Sequence, residues 1–242
     1  MSLHRPHVYL LLLCFITPHS AADAPTSFSA AKKMAATIYQ DNQQTFYCNC
    51  PYKSVRTNGK TTLAPDLQAC GYQVRKQKTR ANRIEWEHIV PAWVFGHQRL
   101  CWQNGGRRNC QKDPVFRAME ADLFNLVPSI GEVNGDRSNF SFADLNHIPD
   151  MYGQCDFKVD FKTKRAEPPK NRLGEIARTY LYMADKYGLK LSKQDQQLYN
   201  AWNKLYPVNE WEAERHKRTS KIMGWDNRFV VERMALKTTT GK

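Results

Sequence analysis

The chain has 242 residues, a formal net charge of +13 and 41% hydrophobic residues. This length suits one domain with a core of ordinary size, and this composition excludes a disordered or fibrous protein. The charge favours a polyanion, an acidic surface or an anionic membrane as partner, and nucleic acid is the commonest polyanion, but charge alone does not choose among them.

Residues 1–24 have the features of a secretory signal peptide. Arg5 precedes a short apolar run over residues 8–16, and small residues suited to signal peptidase follow at 20–24. The apolar run is too short to span a membrane, and no later stretch is apolar enough to do so. We therefore expect export to the periplasm or beyond the cell, with residues 25–242 as a single domain that does not enter a membrane.

Residues 25–46 carry apolar residues at helical spacing and predict a helix. A polar, basic segment follows over 51–83, with a turn signal at Asn58-Gly59. Residues 84–90 alternate as a strand does, and Pro91 should end that strand and suits the first turn of a helix.

Six cysteines follow the signal, and an even number in an exported chain indicates disulfides. They are Cys48, Cys50, Cys70, Cys101, Cys110 and Cys155. Cys101 and Cys110 enclose a short loop rich in Gly, Arg and Asn, and we expect them to pair. A zinc site at 48–50 is disfavoured because no second Cys/His pair stands at zinc-ligand spacing, and Cys-x-x-Cys, which a redox site needs, is absent.

Residues 155–161 predict a strand with Phe157, Val159 and Phe161 on one face. The C-terminal third then becomes helical. The fold class predicted from this order is α+β, a single mixed domain with a small sheet in the middle and disulfide links.

Three helices are predicted in the C-terminal third. The first runs from Leu173 to Gly188 as its C-cap, and the third follows Pro207 and ends at Gly224. The second follows Ser192, with three residues expected to face inward: Leu198, Trp202 and Leu205.

Two segments carry side chains suited to phosphodiester hydrolysis. "IEWEHIVPAWVFG" (84–96) places Glu87 and His88 among apolar residues. Residues 125–139 offer the oxygen donors Asn125, Glu132, Asn134 and Asp136. Mg²⁺ prefers oxygen ligands and keeps several waters, so a carboxylate and an amide oxygen suffice, and a neutral histidine nearby can act as base on water. Arg107 can pair with a phosphate through its planar guanidinium.

Each of these residues also has an ordinary structural explanation. Glu85 suits a solvated strand position, and His88 a structural histidine. Asn134-Gly135-Asp136 suits a turn, and Arg107 a surface charge. Three aromatic residues suit the core better than a base-stacking platform: Trp86, Trp93 and Trp102. Because neighbours on a regular strand point to opposite faces, Glu87 and His88 share a site only if the chain bends there.

Two long motifs resemble the endonuclease I family of exported, disulfide-bonded, non-specific bacterial nucleases. They are "EWEHIVPAWVFG" (85–96) and "MEADLFNLVPSIGEVNGDRSNFSF" (119–142). "FYCNCPY" (46–52) and "GWDNRFV" (224–230) look like further family segments. The resemblance covers residues 30–232, which is nearly the whole chain after the predicted signal.

The resemblance implies a ββα-metal active site, in which two strands and a helix hold one divalent ion. That ion is usually Mg²⁺, and Ca²⁺ or Mn²⁺ can substitute in binding. The residues that match are Glu87 and Asn134 as metal ligands and His88 as general base. Arg107 matches a phosphate-binding arginine, and Glu120 matches a further active-site glutamate.

The implied activity is cleavage of DNA and RNA to 5′-phosphate products, through contacts to the phosphate backbone that read no sequence. The sequence does not define the oligomeric state, and we expect a monomer. Family members carry more cysteines than the six found here, and the pairing expected on this basis is Cys48–Cys155, Cys50–Cys70 and Cys101–Cys110.

Two alternatives remain at this point. The first is a basic nucleic-acid-binding protein without catalysis, which would bind in a salt-dependent way and cleave nothing. The second is a secreted hydrolase of another class, such as a protease, which the absence of a His-Glu-x-x-His motif disfavours.

Overall fold

The computed structural model describes residues 24–57 and 59–240. The predicted signal peptide, up to residue 23, and Asn58 of the predicted turn lie outside this part of the chain. Within it, no helix is both long enough and apolar enough to cross a membrane.

The described chain begins with α1 (Phe28–Ile38), whose residues Ala31, Ala35 and Ile38 are buried at helical spacing. The helix is shorter than the predicted 25–46, because the polar run after Tyr39 offers no apolar face to the core. An isolated antiparallel hairpin follows, made of β1 (Tyr52–Thr57) and β2 (Lys60–Pro65).

The central unit consists of two antiparallel strands and one helix. After the short α2 (Lys78–Ala81), β3 (Ile84–His88) pairs with β4 (Leu126–Ile130), and α7 (Gly131–Arg137) follows β4 directly and packs on both strands. Four short helices connect the two strands: α3 (Ala92–Gly96), α4 (Leu100–Gln103), α5 (Gly106–Cys110) and α6 (Pro114–Glu120). The structure therefore contains the ββα arrangement that the resemblance implied.

The strand β3 ends two residues before the predicted 84–90. The reason is a side chain: Asn125 accepts a hydrogen bond from the N–H of Val90 at 2.7 Å and donates one to its carbonyl at 2.9 Å. These bonds take the place of strand pairing and turn the chain into α3, and Pro91 precedes the first residue of that helix.

All three expected disulfides are formed. Cys48–Cys155 and Cys50–Cys70 join the N-terminal segment to the middle of the chain, and Cys101–Cys110 joins α4 to α5. The expected pairing is therefore confirmed.

A three-stranded sheet of β5 (Ser141–Phe142), β7 (Arg165–Glu167) and β6 (Lys158–Asp160) lies beyond α7 in the chain. The strand predicted over 155–161 is shorter, since the Asp160 carboxylate accepts from the N–H of Lys162 at 2.9 Å and turns the chain. Val159 is buried in β6, but Phe161 lies beyond the end of the strand and is 43% exposed, so the prediction that it shares a strand face with Val159 is wrong.

The C-terminal third forms four helices, α8 (Leu173–Tyr187), α9 (Lys193–Leu205), α10 (Glu210–Met223) and α11 (Arg228–Thr240). Gly188 and Gly224 end α8 and α10 in the left-handed conformation, and Ser192 caps α9, as predicted. The α+β class with a helical C-terminal third is confirmed.

Two expectations about buried side chains are wrong. Leu205 is 68% exposed because it is the last residue of α9, which buries Tyr199 against α8 instead. Trp93 is 45% exposed on α3, where it stacks on His97 with ring centroids 4.0 Å apart. Trp86 and Trp102 are half-buried and pack against the core, as expected.

Buried ion pairs join α8 to α10. Arg178 donates to both carboxylate oxygens of Glu212 at 2.5 Å, and Arg215 donates to Glu175 at 2.8 Å. Both pairs lie away from water, so the loss of one partner leaves an uncompensated buried charge.

We expect Glu212→Gln to lower the free energy of unfolding by roughly 3 kcal/mol, because it leaves the Arg178 guanidinium buried without its counter-charge. Glu214→Gln is the matched control, since Glu214 lies on the same helix and pairs with Arg218 where it meets solvent. The control should lose less than about 1 kcal/mol. Denaturant unfolding with the disulfides intact measures both, and equal losses would contradict this account of Arg178.

Candidate active site

A cleft of about 790 Å³ opens beside β3 and α7. Four of the five predicted site residues line it: Glu87, His88, Arg107 and Asn134. The fifth, Glu120, is buried at the end of α6 and contacts two of them.

Glu87 is buried near the end of β3, where two groups fix one of its oxygens. The Tyr47 hydroxyl donates to Oε1 at 3.3 Å, and Nη1 of Arg137 lies 3.2 Å from the same atom. Burial raises the pKa of the Glu87 carboxyl to about 7, although Arg137 and the Tyr47 hydrogen bond both act to lower it. Because both partners bind Oε1, Oε2 remains for a further ligand.

His88 is held in one tautomer by the backbone of Glu120. Its Nε2 lies 2.8 Å from the Glu120 carbonyl oxygen. A carbonyl only accepts, so Nε2 carries the proton and Nδ1 keeps its lone pair. Burial lowers the pKa of the His88 imidazole to about 4, and the cations Arg107 and Arg137 act in the same direction against the Glu120 hydrogen bond. The ring is therefore neutral at pH 7 and can accept a proton.

Glu87 and His88 line one cleft although they are neighbours on a strand. The buried guanidinium of Arg137 binds the chain at this point, donating to the carbonyl of His88 at 3.2 Å and to that of Ile89 at 2.6 Å. These bonds and those of Asn125 end the regular strand at His88. The chain thus bends where a shared site requires it to.

Arg107 reaches the cleft from α5, inside the loop closed by Cys101–Cys110. Its Nε donates to Oε1 of Glu120 at 2.7 Å, and its side chain is 45% exposed while that of Glu120 is 5% exposed. The Nη groups remain for an anion in the cleft. Glu120 therefore orients His88 through its carbonyl and Arg107 through its carboxylate.

Asn134 lies on α7, and a carboxylate on β3 sets its amide orientation. Its Nδ2 donates to Oε2 of Glu85 at 2.9 Å, which leaves Oδ1 as the free acceptor. Arg80 and Arg83 hold the same carboxylate, with Nε of Arg80 at 3.1 Å and Nη2 of Arg83 at 2.6 Å. The expectation that Glu85 is a solvated strand position is therefore wrong. Glu85 shares a strand face with Glu87, so Asn134 is held over that face.

The other oxygen donors of residues 125–139 have structural partners. Asn125 binds both backbone groups of Val90. Glu132 accepts three backbone N–H groups and the hydroxyl of Tyr72. Asp136 accepts two bonds from the Arg75 guanidinium, at 2.8 and 2.9 Å. Glu132 and Asp136 thus fasten α7 to the loop before α2. Of the four side chains with oxygen ligands, that of Asn134 lines the cleft.

The residues present fit one small oxygen-preferring cation. Among the described residues, no group of three or more His, Cys, Asp and Glu side chains is placed to hold a metal. A Mg²⁺ site needs fewer protein ligands, since the ion keeps several waters. Oε2 of Glu87 and Oδ1 of Asn134 are the two oxygens that their own partners leave available.

The chain matches the model of the Endonuclease I family over residues 25–233. It belongs to the endonuclease I family. The extracellular deoxyribonuclease of Aeromonas hydrophila is 49% identical to it over 227 residues, which cover 93% of this chain and 97% of that protein. The periplasmic deoxyribonuclease of the same species is 50% identical over 221 residues, 91% of each chain. Endonuclease-1 of Buchnera aphidicola subsp. Acyrthosiphon pisum is 46% identical over 206 residues, 85% of this chain and 81% of that protein.

The family match confirms the resemblance, and it supports nuclease activity. The relatives named extracellular and periplasmic, together with the three disulfides, also confirm the predicted export to the periplasm or beyond the cell.

Sequence reasoning did not identify three residues that shape this endonuclease I site: Tyr47, Glu85 and Arg137. Tyr47 and Glu85 have partners far away in the chain, so no local pattern marks them. A signal for Arg137 does exist, because it follows Asn134 by three residues and lies on the same side of α7. An arginine at that spacing from a candidate ligand is itself a candidate member of the site.

We expect Glu85→Ala to weaken metal binding by about tenfold or more, because Asn134 loses the partner that orients its amide. Glu85→Gln keeps an oxygen acceptor for Nδ2 of Asn134 and should lose less metal affinity. Calorimetric titration with Mn²⁺ compares the two variants with the wild type. Unchanged affinity in Glu85→Ala would remove Glu85 from the support of Asn134.

Proposed function

We propose that the protein is a metal-dependent endonuclease that hydrolyses phosphodiester bonds of DNA and RNA without sequence preference and leaves 5′-phosphate ends. The observation that carries the proposal is the position of Glu87, His88, Arg107 and Asn134 in one cleft. The family match and the names of the relatives support it. Residues 25–242 would form the single nuclease domain, working as a monomer after removal of the signal peptide 1–24.

His88 serves as the general base in this proposal. Its Nε2 is held by the Glu120 carbonyl, so Nδ1 accepts the proton from water. The activated water attacks phosphorus in line, and the bond from phosphorus to the 3′-oxygen breaks with its electron pair on that oxygen. The 3′-oxygen takes a proton from solvent water, and His88 later returns its proton to solvent. The products are a 5′-phosphate and a 3′-hydroxyl. The neutral state of His88, which burial favours, keeps the lone pair available at pH 7.

Glu87 and Asn134 would hold the metal ion, for which Mg²⁺ is proposed and Ca²⁺ or Mn²⁺ are substitutes in binding. When bound, the ion supplies a Lewis acid for the charge that develops on the phosphate and on the departing oxygen. Tyr47 and Arg137 fix Glu87, and Glu85 fixes Asn134, so the chain orients both oxygens in advance.

Arg107 binds the scissile phosphate through its Nη groups. Four more cations line the same cleft, Lys32, Arg80, Arg83 and the buried Arg137. Contacts of this kind supply affinity for the backbone of any nucleic acid and read no bases. A cleft of this charge therefore suits cleavage without sequence preference.

The main alternative is a basic nucleic-acid-binding protein without catalysis. The oriented His88 and the available oxygens of Glu87 and Asn134 argue against it, since binding alone requires neither. A thiol hydrolase has no support in the described residues, where Cys48, Cys50, Cys70, Cys101, Cys110 and Cys155 are all disulfide-bonded.

The substitution His88→Ala should lower turnover of supercoiled plasmid by about 10³-fold, because the cleft then lacks the imidazole that takes the proton from water. Binding of the plasmid should be nearly unchanged. The assay compares Mg²⁺ with EDTA, and His147→Ala is the control, since His147 is exposed and does not line the cleft.

If the wild type in Mg²⁺ is the only combination that cleaves the plasmid, the roles of the metal and of the base are both supported. A wild type that shifts the plasmid in a gel but never cuts it would favour the binding protein. A His88→Ala variant that cuts at the wild-type rate would remove His88 from the mechanism.

The neighbouring arginines 107 and 108 provide a second test. Arg107→Lys should lower kcat/KM by about tenfold, because a lysine does not bind Glu120 and a phosphate at the same time. Arg108→Lys keeps the charge at the exposed position next to Arg107 and should leave kcat/KM nearly unchanged. Steady-state kinetics on a fluorescent DNA duplex measures both, and equal values for the two variants would contradict the role of Arg107.

A further inference from the structure

The hairpin β1–β2 carries positive charge that the rest of the molecule does not neutralise. Lys53, Arg56 and Lys60 are exposed on it, and the chain contains no Asp or Glu between Asp41 and Asp66. Other arginines nearby form ion pairs, as Arg75 does with Asp136. Among the ion pairs of the described residues, none involves Lys53, Arg56 or Lys60.

The hairpin contributes little to the core. Its two strands pair only with each other, as a separate two-stranded sheet. Of its side chains whose burial is described, that of Tyr52 at the base is buried, and those toward the tip are exposed. An isolated two-stranded hairpin is marginal in water without further support. Packing of the core therefore does not explain why the chain forms this hairpin.

The base of the hairpin is firmly attached. The N–H of Tyr52 donates to the carbonyl of Gln43 at 2.9 Å, and that of Asp66 donates to the carbonyl of Pro51 at 2.7 Å. The Cys50–Cys70 disulfide closes the same base. The ribbon, called the arm below, thus has a fixed base, and its outer part is solvated.

The middle of β2 borders the candidate active site. Thr62 and Leu63 of β2 line the cleft together with Glu87 and His88. β2 also lies against β3, the strand that carries both site residues. The cations of the arm consequently extend the positively charged surface of the cleft away from Glu87 and His88.

We propose that this hairpin is a nucleic-acid-binding arm that contacts the phosphates of a duplex beside the scissile bond. The proposal rests on the endonuclease function proposed above and adds a second part to the binding surface. The charge of the arm is complementary to a phosphate backbone, and a two-stranded ribbon has the width to lie along a duplex groove. Its lack of base-reading pockets agrees with binding that ignores sequence.

The length of the arm sets the size of substrate that can use it. A strand of six residues spans roughly 20 Å at about 3.3 Å per residue. A duplex rises about 3.4 Å per base pair, so a strand of this length matches about six base pairs, and a 16-base-pair duplex extends over both the arm and the cleft. A dinucleotide fills the cleft beside Thr62 and Leu63 and does not extend to the three cations of the arm.

The test replaces the three arm cations together, as Lys53→Gln, Arg56→Gln and Lys60→Gln. The matched control replaces three exposed lysines of α9 and α10 that do not line the cleft, as Lys193→Gln, Lys204→Gln and Lys217→Gln. Both variants lose the same formal charge. Affinity for a 16-base-pair duplex is measured in EDTA at several salt concentrations, and hydrolysis of that duplex and of a dinucleotide is measured in Mg²⁺.

The arm variant should bind the duplex at least about tenfold more weakly than the control variant. The slope of the logarithm of its binding constant against the logarithm of the salt concentration should be shallower by about 2.7, or roughly 0.9 for each of three lost phosphate contacts. Its rate on the dinucleotide should equal that of wild type. Equal duplex affinity in the two variants would overturn the arm. A wild type that hydrolyses neither substrate in Mg²⁺ would instead overturn the proposed nuclease function, so the two failures are distinct.

Discussion

The candidate site depends on the bonds that the buried guanidinium of Arg137 makes. A charge that is shielded from water must be paired and hydrogen-bonded, or its burial is prohibitively unfavourable. Arg137 meets this requirement with the Glu87 carboxylate and with the carbonyls of His88 and Ile89. It belongs to the same helix as Asn134. One cation therefore holds the helix against the end of the strand, and the distance between the two candidate metal ligands follows from it.

The remaining supports act on the same helix from other sides. Arg137 also donates to the hydroxyl of Tyr180 at 3.3 Å, which connects α7 to the C-terminal helices. Glu132 and Asp136 bind the loop before α2, and the latter also accepts from Tyr152 at 2.8 Å. The helix is thus fixed by charged and polar groups from three parts of the chain. Rigid support of this kind keeps ligand oxygens oriented before an ion arrives.

Local chemistry explains which parts of the structure were predictable from sequence. Helix ends were predictable, because Ser192, Gly188 and Gly224 determine caps through their own backbone and side-chain groups. The candidate site residues were assigned through long family motifs rather than through spacing. The role of Glu85 was missed, since its partner Asn134 is 49 residues away in the chain. The last helix, α11, has no clear apolar stripe, and its first turn is held by tertiary bonds such as that from Arg228 to Asp185 at 2.9 Å.

The disulfide between Cys101 and Cys110 has a consequence for where the protein can act. It closes the short segment that carries Arg107, so the position of that cation depends on an oxidised bond as well as on Glu120. In a reducing cytoplasm the bond does not persist. A newly made chain then lacks one of the two constraints on Arg107 while it shares a compartment with the cell's own chromosome, and both constraints are present only after export.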